Sequence, residues 1–154
     1  MTGTIDARLA ELGLTLPAAP APAANYVPFV ISGNTLYISG QISQTEAGLI
    51  KGRLGDDMDI EAGAAAARRC ALSLMAQARA ACGGDLDRVA RVVKLVGFVN
   101  STPDFTDQPK VINGASDLLV AVFGDAGRHA RSAISAASLP LGVAVEIEAI
   151  FELR

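Results

Sequence analysis

Two charged positions near the C-terminal end of the sequence, Arg131 and Glu146, have the types and spacing to support chemistry. Arg131 opens a β-prone run behind a Gly127-containing loop, and its neighbours Ser132, Ala133 and Ser135 are small. A guanidinium at a strand mouth among small residues can grip a carboxylate through two parallel N–H donors. Glu146 and Glu148 alternate with Val143, Val145, Ile147 and Phe151, so they share the strand face turned away from the apolar one. A partly buried carboxylate there could orient a water or act as a base, although solvated sheet-face glutamates would show the same alternation. Two like charges at i and i+2 on a covered face call for compensation, and Arg131 is a candidate to provide it.

Other chemistry finds less support. Ser39 lies in no Gly-x-Ser-x-Gly elbow and has no recognisable partner histidine, so a nucleophilic hydrolase is not indicated. His129 is the single histidine and reads as a loop residue. Gly124-Asp125-Ala126-Gly127 lacks the lysine and Ser/Thr of a phosphate loop, and no dinucleotide fingerprint follows a strand. Cys70 and Cys82 fall twelve residues apart in one expected helix, roughly 18 Å along its axis. That is too far for a disulfide, and one histidine without paired cysteines makes a poor zinc site. No metal and no cofactor is expected.

The elements that position these residues follow from periodicity. Ile5, Leu9 and Leu12 predict a short helix over Ile5–Gly13, and Pro17, Pro20 and Pro22 make Leu16–Ala24 a stiff connector that delivers Tyr26. Residues 1–24 thus precede a single domain over 25–154. Val27–Ser32 and Thr35–Ser39 flank Gly33-Asn34, a two-residue hairpin signal; Gly40 marks a bulge or a ligand approach. Gln44–Asp57 reads as a loop, and Asp59–Cys82 as one long helix with Ile60, Ala67, Leu74, Ala78 and Ala81 inward. Arg68-Arg69 reads as its solvated edge. Val89–Asn100 predicts a long strand with Val89, Val93, Leu95 and Val99 on one face. Pro109–Phe123 predicts a second helix, and Arg131–Ala137 and Val143–Leu153 the final strands.

The order ββαβαββ implies an α+β domain with both main helices on one face of a single sheet. The opposite face, with Val92, Val96, Phe98 and Ile134, is half apolar and calls for an oligomer to cover it. A net charge of −3 argues against a nucleic-acid binder. Aromatics at 5% with no tryptophan argue against a large aromatic-lined cofactor pocket. No basic-then-apolar leader or 20-residue apolar run is evident, and free thiols fit a reducing compartment, so a cytoplasmic protein without membrane contact is expected.

Gly33-Asn34-Thr35-Leu36-Tyr37-Ile38-Ser39-Gly40-Gln41, Val92-Val93-Lys94-Leu95 and Arg131-Ser132-Ala133…Leu139-Pro140…Val145-Glu146-Ile147-Glu148 together resemble the RidA/YjgF family over residues 25–153. These are the reactive-intermediate deaminases, also called L-PSP endoribonucleases. The resemblance implies a chorismate-mutase-like fold with a mixed sheet, assembled as a homotrimer around an inner barrel, with ligand clefts between subunits. It implies cofactor-free hydrolysis of 2-imino acids or their enamine tautomers to 2-keto acids and ammonia. By the same resemblance Arg131 binds the substrate carboxylate and Glu146 positions the attacking water. Tyr26, Ser39, Gly40 and Asn113 line the cleft. The cysteine that many members carry two positions after the arginine is Ala133 here. The N-terminal extension, the longer loop over Gln44–Asp57 and the run Gly127-Arg128-His129-Ala130-Arg131 point to a divergent branch in which His129 becomes a cleft candidate. The other readings are a non-catalytic trimer that binds a small carboxylate as a sensor or adaptor and, more weakly, an endoribonuclease or translation inhibitor.

Overall fold

A computed structural model describes residues 3–22 and 24–154; Met1, Thr2 and Ala23, the last within the expected connector, lie outside the described residues. The first helix, α1, spans Thr4–Glu11 and buries Leu9. Its end is capped from a distance, since the Thr4 and Ile5 amides donate to the Asp87 carboxylate at 2.8 and 2.9 Å. An anion at a helix N-terminus meets unsatisfied N–H groups and the positive end of the helix dipole. The connector then places Leu16 in the same core as the rest of the chain.

Strands β1 (Phe29–Ser32) and β2 (Thr35–Ile42) form the expected hairpin, with Ser32 opposite Thr35 and Gly33 at φ +63° in the turn. The segment read as a loop contains a small hairpin, β3 (Gln44–Thr45) and β4 (Gly48–Leu49). Strands of two residues are too short to show a hydrophobic period. Arg69 holds this hairpin through Gln44 O (3.2 Å) and Glu46, so of the pair expected at a solvated edge only Arg68 is exposed.

Helix α2 spans Ile60–Ala81; Asp59 caps it by accepting from the Ala62 amide at 2.8 Å. Beyond it come β5 (Val89–Asn100), α3 (Gln108–Phe123), β6 (Ala130–Ala136) and β7 (Val145–Leu153). The sheet order is β1-β2-β7-β5-β6, antiparallel except for the parallel pair β5–β6. A parallel pair needs a crossover, and α3 supplies it. The result is a mixed α+β fold in which α2 and α3 cover one face of a mixed sheet and α1 packs against α3. Cys70 lies within α2 and Cys82 at its end, both as buried free thiols. No helix among the described residues is long and apolar enough to cross a membrane.

One expectation for β5 fails. Val92 is fully buried and Val93 is exposed, the reverse of the alternation expected from sequence. The ladder to β7 shifts register between Val89 and Arg91 and again between Val92 and Lys94. A bulge inserts a residue and flips every later side chain to the other face. The outer sheet face is half apolar all the same. Ile134, Tyr37 and Val30 are exposed on it, and Val96 and Phe98 partly so.

Helices α2 and α3 meet at very close range. A Cβ on Gly114 of α3 would collide with the Ala64 carbonyl of α2, and backbone cannot move aside as a flexible side chain can. Gly114→Ala is therefore expected to cost about 1–3 kcal/mol of stability despite alanine's better helix propensity. Chemical denaturation of the two proteins checks this; equal or greater stability in the variant would contradict the close contact.

Candidate functional site

The residues singled out from sequence fall into two groups, on opposite faces of the sheet. The first group surrounds Arg131. It pairs with Leu95 across β5–β6 and points to the helix side. Its Nη1 donates to Asn113 Oδ1 (2.8 Å) and Ser116 Oγ (3.1 Å), and its Nη2 to the Pro109 carbonyl (3.1 Å). All three acceptors belong to the first turns of α3. The Nε–H and one Nη2–H find no acceptor among the described residues, which leaves the side of the guanidinium fork that matches a carboxylate.

His129 stands behind this arginine. Its Nδ1 lies 2.7 Å from the Gly127 carbonyl and its Nε2 lies 2.8 Å from Ser116 Oγ. A carbonyl only accepts, so Nδ1 carries the proton, Nε2 is the acceptor, and the Ser116 hydroxyl donates to it. That orientation turns the Ser116 lone pairs toward Arg131. The arrangement requires a neutral imidazole. Burial pushes the His129 pKa below its usual range, the Gly127 carbonyl opposes this, and the charge of Arg131 adds to the lowering. Both ring nitrogens are thus engaged within the chain. Ser116 was not singled out from sequence, because a serine on a helix carries no pattern. Its spacing of three from Asn113, on the face that meets β6, is the only signal available.

The second group surrounds Glu146. This carboxylate projects from β7, opposite Ile42 of β2 and Phe98 of β5, between the buried Val145 and Ile147. The β2–β7 ladder slips between Ile38 and Gln41, so Gly40 sits in a bulge, one of the two roles expected for it. A Cβ there would lie 2.6 Å from Glu146 Oε1, so only glycine allows the carboxylate to lie against the strand. Ser39 Oγ donates to the Val27 carbonyl at 2.8 Å and ties the strand end to the segment bearing Tyr26. Tyr26, Gly40 and Glu146 line one cavity of about 740 Å³.

Glu146 gains no compensation from Arg131, contrary to expectation. The two are separated by β5, point to opposite faces, and are offset by three residues along the ladder, roughly 10 Å. Burial first, and then the charge of Glu148, raise the Glu146 pKa above the ordinary glutamate range. Glu148 itself is exposed. Among the described residues no cluster of histidine, cysteine, aspartate and glutamate could hold a metal ion.

Comparison with known proteins agrees with this architecture. The family described as "YjgF/chorismate mutase-like, putative endoribonuclease" matches residues 6–153. The chain belongs to the RidA/YjgF family. The Trypanosoma cruzi protein TCP17 is 53% identical over 99% of this chain and 96% of its own length. The crystal structure of Atu1372 from Agrobacterium tumefaciens, of unknown function, is 50% identical and superposes with a TM-score of 0.90 over 97% of this chain and 92% of that one. A "putative endoribonuclease" from Shewanella oneidensis is 37% identical, with a TM-score of 0.93 over 98% of this chain and 100% of that one. Such coverage takes in most of the segment ahead of β1, as does the family match from residue 6.

The environment of Glu146 makes a prediction about stability. A carboxyl whose folded pKa is raised favours the folded state fully below about pH 4 and loses that contribution as pH rises through the folded value. Glu146→Gln removes the ionisable group, so its melting temperature relative to wild type should climb as pH increases from about 4 to 7. Thermal unfolding of both proteins across that range checks it. A difference that stays flat or falls would show that the charge is not penalised.

Proposed function

We propose that this protein is a cofactor-free 2-imino acid deaminase whose clefts form between subunits of a homotrimer. The observation that carries the reading is the pairing of two incomplete half-sites. Arg131 is held with an open guanidinium edge on one face of the sheet, and Glu146 is desolvated in a cavity on the other. Within one chain they cannot converge on a small ligand. A neighbouring copy whose Arg131 edge closes over the Glu146 cavity would join them and cover the half-apolar outer face in the same step.

The chemistry needs little more than these groups. Two parallel N–H bonds from Arg131 hold the substrate carboxylate and fix the imine carbon over the cavity. Glu146 takes a proton from a water as the water oxygen bonds to that carbon, and the imine nitrogen gains a proton. The resulting carbinolamine collapses: Glu146 passes its proton to the amine nitrogen, the hydroxyl proton leaves to solvent, the C–N bond breaks, and ammonia departs to give the 2-keto acid, with Glu146 ionised again. A raised pKa suits Glu146 to this role, because a base is most effective when its affinity for protons approaches the working pH. Tyr26 at the cavity rim is placed to donate to the leaving nitrogen or the substrate.

The test generates imines in situ from amino acids with a dehydratase or an oxidase and follows keto-acid release. Acceleration is expected from wild type, with kcat/KM lowered about 10–100-fold in Arg131→Ala, the usual cost of losing hydrogen bonds to a charged group. Glu146→Gln should lower kcat with little change in KM. Co-expression of the two variants should restore activity, because random assembly gives about a quarter of the clefts an intact Arg131 and an intact Glu146. Equal rates in wild type and Arg131→Ala would overturn the proposal. Keto-acid binding without turnover would instead favour a carboxylate-binding sensor or adaptor.

A further inference from the structure

We propose that the Glu146 cavity is a side-chain pocket for bulky apolar substrates, so that this enzyme prefers imines derived from amino acids such as leucine over the imine derived from alanine. The inference rests on the deaminase reading and assigns its substrate class.

The first observation is the cavity's size and lining. In the single chain, before a neighbour closes over it, it measures about 740 Å³, in the range that takes drug-sized ligands. Tyr26, Gln41 and Gln44 also line it, but most of its wall is apolar, including Pro20, Pro22, Ile42, Leu49, Pro140 and Leu141. Burial of an apolar side chain against this part of the wall is favourable.

The second observation is that one wall is held by a buried device. Gln77, 1% exposed in the middle of α2, donates from Nε2 to the Pro20 carbonyl at 2.6 Å. The same amide lies 3.4 Å from Gln41 Oε1, and Gln41 Nε2 donates to the Ser39 carbonyl at 2.9 Å. A buried amide needs its partners, so this chain locks the proline strap to the strand end that carries Gly40. The segment ahead of β1 is therefore a fixed wall beside the carboxylate.

The third observation is Leu141, which also lines the cavity. It is the single non-glycine residue with positive φ (+61°) among the described residues, and it is 58% exposed. A bulky residue in the left-handed region is strained, and an exposed one cannot offset that strain by packing into the core. The backbone here holds a leucine side chain at the cavity against its own preference.

The experiment compares kcat/KM for imines generated from leucine and from alanine by an L-amino-acid oxidase with catalase. Thermal shifts with the products 4-methyl-2-oxopentanoate and pyruvate at equal concentration run beside it. The leucine-derived imine is expected to be favoured at least about tenfold, as buried methylenes commonly discriminate. The larger keto acid should give the larger shift. Leu141→Gly should cut the preference about tenfold. Glycine accepts the positive φ freely, so this variant should fold at least as stably and the loss cannot be a folding defect. Turnover with equal or reversed preference would overturn the pocket while leaving the deaminase reading intact. Turnover of neither imine would overturn the deaminase reading alone, and the pocket then stands only if the larger keto acid gives a shift that Leu141→Gly loses.

Discussion

Both halves of the candidate site depend on the contact between α2 and α3. Gly114 brings α3 so near the Ala64 carbonyl that a single methyl group would force the helices apart. The position of α3 decides where Pro109, Asn113 and Ser116 present their oxygens, and these are what hold Arg131. The position of α2 decides where Gln77 reaches the proline strap that bounds the Glu146 cavity. Interiors pack at crystal-like density, so a shift in one helix is passed on undiminished to the groups it carries. The alanine-rich α2 serves this closeness: Ala66, Ala67, Ala71 and Ala78 are buried and add little bulk between helix and sheet.

The sheet then keeps two charges of opposite sign in environments of opposite kind. Arg131 sits among oxygens that satisfy three of its donors and remains charged whatever the ligand does. Glu146 sits against glycine and apolar side chains, where ionisation is penalised. Side by side, the pair would neutralise each other: the carboxylate would lose basicity and the guanidinium would lose its open edge. Placement on opposite faces prevents that internal ion pair in an isolated subunit. His129 strengthens the arrangement from behind, since its neutral ring orients the Ser116 hydroxyl without placing a second cation next to Arg131.

How far the sequence could be read depended on what each element must satisfy locally. β7 was legible because the alternation of Val145, Ile147, Ala149 and Phe151 with Glu146, Glu148, Ile150 and Glu152 runs without a bulge in this strand. The hairpin turn at Gly33 was legible because a positive φ favours glycine there. The faces of Val92 and Val93 were not, because the bulges that set them depend on pairing with β7, where the partner of Val92 is Phe151, far along the chain. Arg131 was recognisable as a clamp, but its partners Ser116 and Pro109 come from a helix face that only the fold selects. Gln77 left a faint trace as a polar residue in a long apolar stretch of α2, and its role emerges only once the connector is seen to lie across it.

The same dependence explains why a chain with so little aromatic content can still build a defined cavity. Rigidity here comes from backbone restriction. Prolines fix φ along the strap and at Pro140, so these walls lose little entropy when a ligand arrives. The part-buried Pro20 carbonyl needs a donor, and the buried Gln77 amide supplies it without bringing charge near Glu146. A lysine or arginine in that place would have lowered the Glu146 pKa and weakened it as a base. The neutral amide therefore holds the wall firmly while leaving the carboxylate as basic as its burial makes it.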